Sequence, residues 1–203
     1  MLLERQASPM PPLAAYQRAP SLAASVWYMG SLLTLLADSR DTGGSFSLIE
    51  ICMKPGNEPP PHVHEREDEL LYILDGAADA YVGEETFHLA TGGCMFLPRT
   101  KPHGFIVRTL RLRMLVLIQP GGLEQYFAAM SASPAYELEL PHEAATYSAA
   151  QTQHAVRIGS KYGVRFLSSD QIAKQMPSYF AALDNIAANQ PASSRHWRSP
   201  STA

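Results

Sequence analysis

The sequence has little cysteine and little charge. Only two of its 203 residues are cysteines, Cys52 and Cys94, and 17% are charged. Two cysteines without CxxC spacing exclude a disulfide scaffold and a cysteine-based zinc or redox site, and their apolar surroundings predict that both are buried. With 16 basic against 19 acidic residues, the chain lacks the positive surface that nucleic-acid binding requires.

Long hydrophobic runs are also lacking. The longest apolar-rich stretch, Ser21–Ala37, is interrupted by Gly30 and by serines, and it is too short to span a bilayer. Near the amino terminus, Glu4 and Arg5 stand where a signal peptide would need an apolar core. We therefore expect a cytoplasmic protein with neither a nucleic-acid nor a membrane partner.

The sequence is instead rich in short apolar runs separated by turns, with 16 prolines and 13 glycines. From about Val26 to Pro120 these runs recur roughly every ten residues, which indicates a β-sandwich or barrel. Asp75 and Gly76 form a typical hairpin signal. We assign the barrel to residues 21–120 and an irregular, proline-containing arm to residues 1–20.

Beyond Pro120 the apolar spacing becomes helical, which predicts a helical extension over residues 121–190. One short helix is indicated by apolar residues spaced three and four apart, namely Leu123, Tyr126, Phe127 and Met130. A second helical face comprises Ala155, Ile158 and Tyr162. A last helix is expected within 169–189, interrupted at Pro177, before a flexible tail over 191–203.

Three histidines and one glutamate form the pattern that indicates chemistry. His62 and His64 are two residues apart, so an extended backbone places both imidazoles on one face. Glu69 begins the next predicted strand, and His103 opens a later one. Such a mixed N/O set suits Fe, Ni, Mn or Co, with Zn or Cu also possible, and leaves positions open for water, O₂ or substrate. The alternative is a satisfied polar cluster in a barrel that has lost its metal.

These residues resemble the two motifs of the cupin family. The first motif is matched at each of its positions, by Gly56, His62, His64, Glu69 and Gly76. The second is matched by Gly92, Pro98 and His103, whereas Thr100 stands where the family has glycine and Val107 where it has asparagine. Neither departure removes a ligand. The resemblance covers about residues 45–120.

The resemblance implies an all-β core, the cupin double-stranded β-helix or jelly-roll barrel, with short C-terminal helices added. It also implies one divalent metal inside the barrel, held by His62, His64, Glu69 and His103, and a homodimer. The proline-rich run before His62, residues 67–69 and residues 120–127 look like single-domain quercetin 2,3-dioxygenase-like cupins and polyketide-tailoring enzymes. The implied substrate is small and aromatic or polyketide-like, with O₂ as co-substrate for a dioxygenase.

Strand parity outlines a pocket around the metal. If Glu69 points inward, so do Leu71 and Ile73, and if His103 points inward, so do Phe105 and Val107. We expect these four residues to form an apolar substrate wall, which favours an organic, weakly charged substrate. The alternative is that they simply fill a tight barrel.

Three functions remain open from the sequence. One is a metal-dependent dioxygenase; another is a non-oxidative isomerase, cyclase or decarboxylase using the same metal; the third is a small-molecule-binding cupin without catalysis. Glu69 could be a metal ligand, a general base or both. Glu50 is either a pocket acid or a solvent-facing residue. The acidic run Glu65, Glu67 and Asp68 is expected to form a solvated rim, and the alternative is that one of its members contacts a site residue.

Overall fold

Short strands occupy most of the chain between Ser25 and Gln119. The computed structural model describes residues 13–130, 133–141 and 149–189. The strands within these ranges are β1 (Ser25–Tyr28), β2 (Ser31–Ala37), β3 (Ser47–Met53), β4 (His62–His64), β5 (Asp68–Asp75), β6 (Ala77–Val82), β7 (Glu85–Ala90), β8 (Cys94–Leu97), β9 (His103–Val107), β10 (Leu112–Gln119), β11 (Ser133–Pro134) and β12 (Val164–Phe166).

The strands form two antiparallel sheets that face each other. Sheet A has the order β11-β1-β2-β3-β10-β5-β8, and sheet B has the order β12-β4-β9-β6-β7. This arrangement confirms the predicted all-β barrel with a jelly-roll core.

Buried and half-buried residues alternate along the central strands of sheet A, and the buried residues form the core. Inner residues of β3 and β10 are buried while their neighbours in sequence are half-buried, as expected when one face of a strand packs inward. Ile51 lies opposite Met114, and Ile49 lies opposite Val116. All four side chains are buried in one cluster with Phe105 from sheet B. Polar side chains that point between the two sheets are therefore surrounded by apolar side chains.

The predicted hairpin at Asp75 and Gly76 is wrong. β5 pairs with β10 and β8 in sheet A, whereas β6 pairs with β9 and β7 in sheet B, so the turn carries the chain from one sheet to the other. Gly76 has φ 92° and allows this change of direction. A turn signal specifies a reversal, but not that the two flanking strands pair with each other.

The C-terminal region contains helices, as predicted, and also strands that were not predicted. The helices are α1 (Glu124–Met130), α2 (Ala149–Lys161), α3 (Ser169–Gln175) and α4 (Pro177–Asn189). β12 adds to the edge of sheet B beside β4, and its three residues are too few to show an alternating pattern. No helix in the described ranges is long and apolar enough to cross a membrane.

Helices α3 and α4 cover the outer face of sheet B. Ile172 from α3, Tyr179 from α4 and Met176 between the two helices pack on Val63 from β4 and Ile106 from β9. Met176 is fully buried in this second apolar cluster. The strands β4 and β9 are therefore covered on both faces, and β4 is enclosed by residues far along the chain.

The expectation that both cysteines are buried is also wrong. Cys52 is half-buried and Cys94 is exposed. Both occupy the outward-facing parity of their strands, because their neighbours Ile51 and Met95 point into the core. An apolar run in sequence does not distinguish the two faces of a strand when both contain apolar residues.

The steric crowding at Gly76 can be tested by comparing alanine substitutions at Gly76 and Gly56. Gly76 and Gly56 have nearly the same positive φ, 92° and 89°. A Cβ at Gly76 would clash with the backbone carbonyl oxygen of Arg111 and lie 2.6 Å from Thr109 Oγ1, whereas nothing lies within 4 Å of one at Gly56. We expect Gly56→Ala to cost about 1–2 kcal/mol of unfolding free energy from backbone strain alone. Gly76→Ala should cost about 1–3 kcal/mol more, because the neighbouring backbone must shift.

Chemical denaturation of the two variants and the parent protein measures this difference. Equal losses at Gly76 and Gly56 would show that the crowding around Gly76 relaxes without cost.

Candidate metal centre

Three strands bring the predicted metal-binding residues together. His62 and His64 lie on β4, Glu69 on β5 and His103 on β9, where His62 and His103 are register partners. Each residue offers one ligand atom, and these atoms all lie within 4.8 Å of one another. All four side chains are buried. They form a cluster that could hold a metal ion.

The nitrogen and oxygen atoms at the centre of the cluster lie close together. His62 Nε2 is 3.0 Å from His64 Nε2. Glu69 Oε1 is 3.4 Å from His64 Nε2, and Glu69 Oε2 is 3.5 Å from His103 Nε2. Donor atoms at these separations converge on one small volume, as expected for neighbouring ligands of a single ion with bonds of about 2.0–2.2 Å.

Two of the imidazoles are oriented by backbone carbonyl groups. His62 Nδ1 lies 2.8 Å from the carbonyl oxygen of Pro60, and His103 Nδ1 lies 3.0 Å from that of Lys101. A carbonyl can only accept, so each Nδ1 carries the proton and each Nε2 presents a lone pair to the centre. This tautomer is the one that a metal on Nε2 requires.

Burial favours the neutral form of the imidazoles. Burial, followed by the nearby His103 and His64, holds the pKa of His62 well below its usual range, and burial also lowers the pKa of His64. Burial opposes ionisation of Glu69, but the surrounding imidazoles lower its pKa to about 2. Neutral His62 and His64 together with an ionised Glu69 are the forms in which these three groups bind a metal.

The residues fit a divalent transition metal. Within the described residues, the buried His103 Nε2 has no hydrogen-bond partner, although unpaired buried nitrogen atoms are costly. A bound ion would give this nitrogen a partner. Three imidazoles and one carboxylate suit divalent metals of the first transition row.

β4 is held at both edges by segments distant in sequence. Glu65 N donates to Gly163 O over 2.8 Å and Leu167 N donates to Pro61 O over 2.9 Å, so β12 is joined to both ends of β4. Thr100 N donates to His64 O over 2.7 Å from the turn before β9. Thr100 has φ 67°, the conformation that the glycine of the cupin motif would adopt without strain.

The register of β12 places an apolar neighbour beside each β4 histidine. Phe166 lies opposite His62, and Val164 lies opposite His64. The rings of Phe166 and His62 are 5.8 Å apart. Cross-strand neighbours of this kind limit the rotamers of the imidazoles and reduce their contact with water. The C-terminal segment is thus part of the site.

A cavity of about 90 Å³ opens beside the cluster. Of the predicted pocket residues, Leu71 and Phe105 line it together with all four cluster residues. Ile73 and Val107 do not line it and instead lie buried in the core. Both point inward as their parity predicts, but each is four residues beyond the cluster residue on its own strand, about 13 Å along the barrel.

Val107 has a different role at its backbone. Its N–H donates to Glu58 Oε1 over 2.7 Å, and Glu58 Oε2 accepts from Gly56 N over 2.6 Å. Glu58 therefore ties the proline-rich segment before β4 to the end of β9. Sequence analysis missed this residue because its partners are backbone groups that no side-chain motif reveals.

Much of the cavity wall comes from outside the sequence motifs. Tyr28 from β1 and Tyr126 from α1 line the cavity, and their hydroxyls are 2.9 Å apart. Phe127 and Phe166 add aromatic surface. The helical spacing that includes Tyr126 and Phe127 indicated a buried face, but nothing in the sequence indicated that this face borders the site.

Among the acidic residues whose position the sequence did not decide, two pair with arginine side chains and one is buried beside the cluster. Glu50 accepts from Arg113 over 2.8 Å on the outer side of sheet A, and Asp68 accepts from Arg99 over 2.7 Å, so neither lines the cavity. Glu67 is 7% exposed and lies 3.9 Å from His64 Nδ1. The prediction of a solvated acidic rim is therefore wrong for Glu67, because the turn between β4 and β5 directs this side chain inward.

Comparison with known proteins identifies the barrel. Residues 49–122 match the cupin domain family. A curated relative, quercetin 2,3-dioxygenase from Bacillus subtilis (strain 168), is 25% identical over 97 residues, which are 48% of the chain and 29% of the relative. The chain thus spans less than a third of the length of this curated relative.

Three solved structures are similar to part of this chain. KdgF from Halomonas sp. is 21% identical, with a TM-score of 0.43, over 47% of this chain and 85% of that one. Pac13 from Streptomyces, a nucleoside dehydratase, is 16% identical, with a TM-score of 0.44, over 55% and 88%. The polyketide cyclase RemF from Streptomyces resistomycificus is 31% identical, with a TM-score of 0.39, over 45% and 66%.

The packing of β12 against β4 can be tested with two substitutions on one strand. Phe166→Ala removes a half-buried ring beside His62, and we expect it to lower the free energy of unfolding by about 2–3 kcal/mol. Arg165→Ala alters an exposed side chain on the same strand and should change it by less than about 0.5 kcal/mol. Chemical denaturation measures both. Equal stability of the two variants would contradict an integral role for β12.

Proposed function

We propose that the cupin domain is a metal-dependent dioxygenase that acts on an aromatic or polyketide-like substrate. One divalent ion, Fe, Ni, Mn or Co, would be held by His62, His64, Glu69 and His103. The observation that carries this proposal is the convergence of four buried donor atoms within 4.8 Å beside a largely apolar cavity. Such a metal acts as a Lewis acid and, when it is redox-active, supports reactions with O₂.

The cavity favours an uncharged, aromatic group of the substrate. Among the described residues that line it, none is lysine or arginine, and Glu69 is the only acid. Aromatic side chains of Phe105, Tyr126 and Phe166 contribute to the wall. A sugar phosphate would find no cation there to pair with, whereas a ring can pack by offset or edge-to-face contacts.

The size of the cavity limits how much of the substrate enters. Its volume of about 90 Å³ is below the roughly 300–1,000 Å³ of typical ligand pockets. We therefore propose that the reacting edge of one ring enters, while the rest of the molecule lies over the half-buried rim residues Met29, Asn57 and Pro59. Asn57 Nδ2 donates to Gly30 O over 2.7 Å and joins the two rim segments.

Glu69 is suited to hold a proton of the substrate. Its carboxylate lines the cavity, where a bound molecule could reach one of its oxygens. A hydroxyl group of the substrate that reaches Glu69 could transfer its proton to a carboxylate oxygen. His62 and His103, whose Nδ1 atoms are fixed by carbonyl groups, would keep their orientation during this transfer.

Similarity to quercetin 2,3-dioxygenase supports an oxidative reaction. That relative shares 25% identity over 97 residues with this chain. The match spans about half of the chain, so it supports the chemistry of the barrel more than the identity of the substrate.

A second candidate function uses the same site without O₂. It is favoured by the position of Glu69, whose two oxygens lie 3.4 Å and 3.5 Å from imidazole nitrogens while the side chain still borders the cavity. A carboxylate so placed can act as a general base in an isomerisation, cyclisation or decarboxylation. Dependence on O₂ separates this function from the first.

Metal analysis tests the site directly. Protein purified without added metal should contain about one transition-metal ion per chain, and His103→Ala should lose most of it, because a buried ligand without a substitute is removed. His88→Ala is the matched control, since His88 is largely exposed and pairs with Asp79 away from the cluster. Elemental analysis and thermal denaturation with and without chelator measure the outcome. Unchanged metal content in His103→Ala would contradict the assigned site.

Turnover of a panel of flavonols and polyketide-like phenols, in air and under argon, tests the reaction type. A dioxygenase should consume one O₂ per turnover and stop under argon, and Glu69→Gln should lower the rate by about 100-fold or more, because the amide cannot accept the proton. Full turnover under argon would favour the non-oxidative candidate. Metal-dependent ligand binding without turnover, unaffected by Glu69→Gln, would indicate a binding protein.

A further inference from the structure

A buried carboxylate faces the outer nitrogen of one cluster histidine. Glu67 is 7% exposed, and its Oε2 lies 3.9 Å from His64 Nδ1. Across the described residues, neither of these two atoms has a hydrogen-bond partner. Buried polar atoms of protein cores are almost always paired, so two unpaired atoms that face each other are expected to interact in some state of the protein.

His64 differs from the other two histidines in its outer contact. Nδ1 of His62 and Nδ1 of His103 each meet a backbone carbonyl, at 2.8 Å and 3.0 Å. Among the described residues His64 Nδ1 has no hydrogen-bond partner, and the Glu67 carboxylate lies 3.9 Å from it. Two of the three rings thus have a carbonyl acceptor at Nδ1, and the third has a carboxylate nearby. Within hydrogen-bond distance a carboxylate is a stronger acceptor than a carbonyl group.

The backbone around Glu67 is already fixed, so only its side chain has to move. Glu65 N is bound to Gly163 O over 2.8 Å on one side. Asp68 on the other side accepts from the backbone N–H of Arg99 over 2.8 Å and from its guanidinium over 2.7 Å. Closing the gap from 3.9 Å to a hydrogen bond of about 2.8 Å requires a small side-chain rotation.

We propose that Glu67 is a positioning residue of the metal centre, which accepts a hydrogen bond from His64 Nδ1. The bond would hold the proton on Nδ1, direct the Nε2 lone pair toward the metal and increase the basicity of the ring as a ligand. This inference rests on the proposed metal site. It adds to that site a carboxylate that does not line the cavity and does not touch the substrate.

The role predicts opposite effects on metal binding and on the stability of the metal-free protein. Without metal, the buried Glu67 Oε2 has no hydrogen-bond partner among the described residues. An apolar side chain of similar size at this position is therefore expected to leave the stability of the metal-free protein unchanged or to raise it. With metal, loss of an outer carboxylate typically weakens binding by 10- to 100-fold. A residue that only supports the fold would move both quantities in the same direction.

Two substitutions at Glu67, with the same two at the exposed Glu65 as matched controls, test the proposal. Glu67→Leu should weaken Co²⁺ binding by 10- to 100-fold, while the denaturation midpoint of the metal-free protein stays the same or rises. Glu67→Gln should weaken Co²⁺ binding only a few-fold, because its amide oxygen still accepts from Nδ1. Both should shift the visible absorption of bound Co²⁺, and the Glu65 variants should not.

Chelator competition with Co²⁺ and denaturation of metal-free protein supply the readouts. The role of Glu67 would be overturned if Glu67→Leu bound Co²⁺ with an affinity within twofold of that of Glu65→Leu. It would also be overturned if Glu67→Leu lost Co²⁺ affinity and the metal-free protein lost stability to the same extent. His62→Ala separates this outcome from failure of the metal site. If the parent protein and His62→Ala bind Co²⁺ equally weakly, the metal site itself is wrong.

Discussion

The short strand β4 holds two imidazoles side by side in an apolar interior, and the surrounding strands keep it in that position. An extended backbone places His62 and His64 on one face, and their Nε2 atoms are 3.0 Å apart. Two lone pairs at that distance repel each other unless a proton or a cation lies between them. A strand of three residues cannot maintain this geometry alone, so it depends on its neighbours β9 and β12.

The neighbours of β4 come from widely separated parts of the chain. β9 provides His103 and is also tied through Val107 N to Glu58 in the segment before β4. β12 lies about a hundred residues after β4 in the sequence and contributes Phe166 beside His62. β12 and α1 lie beyond residues 49–122, which match the cupin domain family, so part of the cavity wall comes from outside the matched residues. The cluster residues lie within the matched range, whereas Phe166 and Tyr126 of the cavity wall lie outside it.

The sequence predicts the cluster well because its signal is local. The spacing of His62, His64 and Glu69 depends only on strand parity and on one turn, and both are short-range properties. The outcome at Gly76 depends on which sheet each flanking strand joins, and that is decided by partners far along the chain. Glu67 differs from the expected rim for a related reason. An acidic run indicates solvent exposure on average, and the sequence does not specify which member the turn after β4 directs inward to the site.

Charge balance connects the proposed metal, Glu69 and Glu67. A divalent ion with three neutral imidazoles and the Glu69 carboxylate has a net charge of about +1, and little in the apolar cavity screens it. An anionic phenolate or enolate of the substrate would neutralise that charge, which makes loss of the substrate proton favourable inside the site. An ionised Glu67 would bring the site near zero before substrate arrives, and so would oppose binding of the anion. A hydrogen bond from His64 Nδ1 to Glu67 therefore both strengthens the metal site and restrains its preference for acidic hydroxyl groups, so one carboxylate outside the cavity influences which substrates ionise within it.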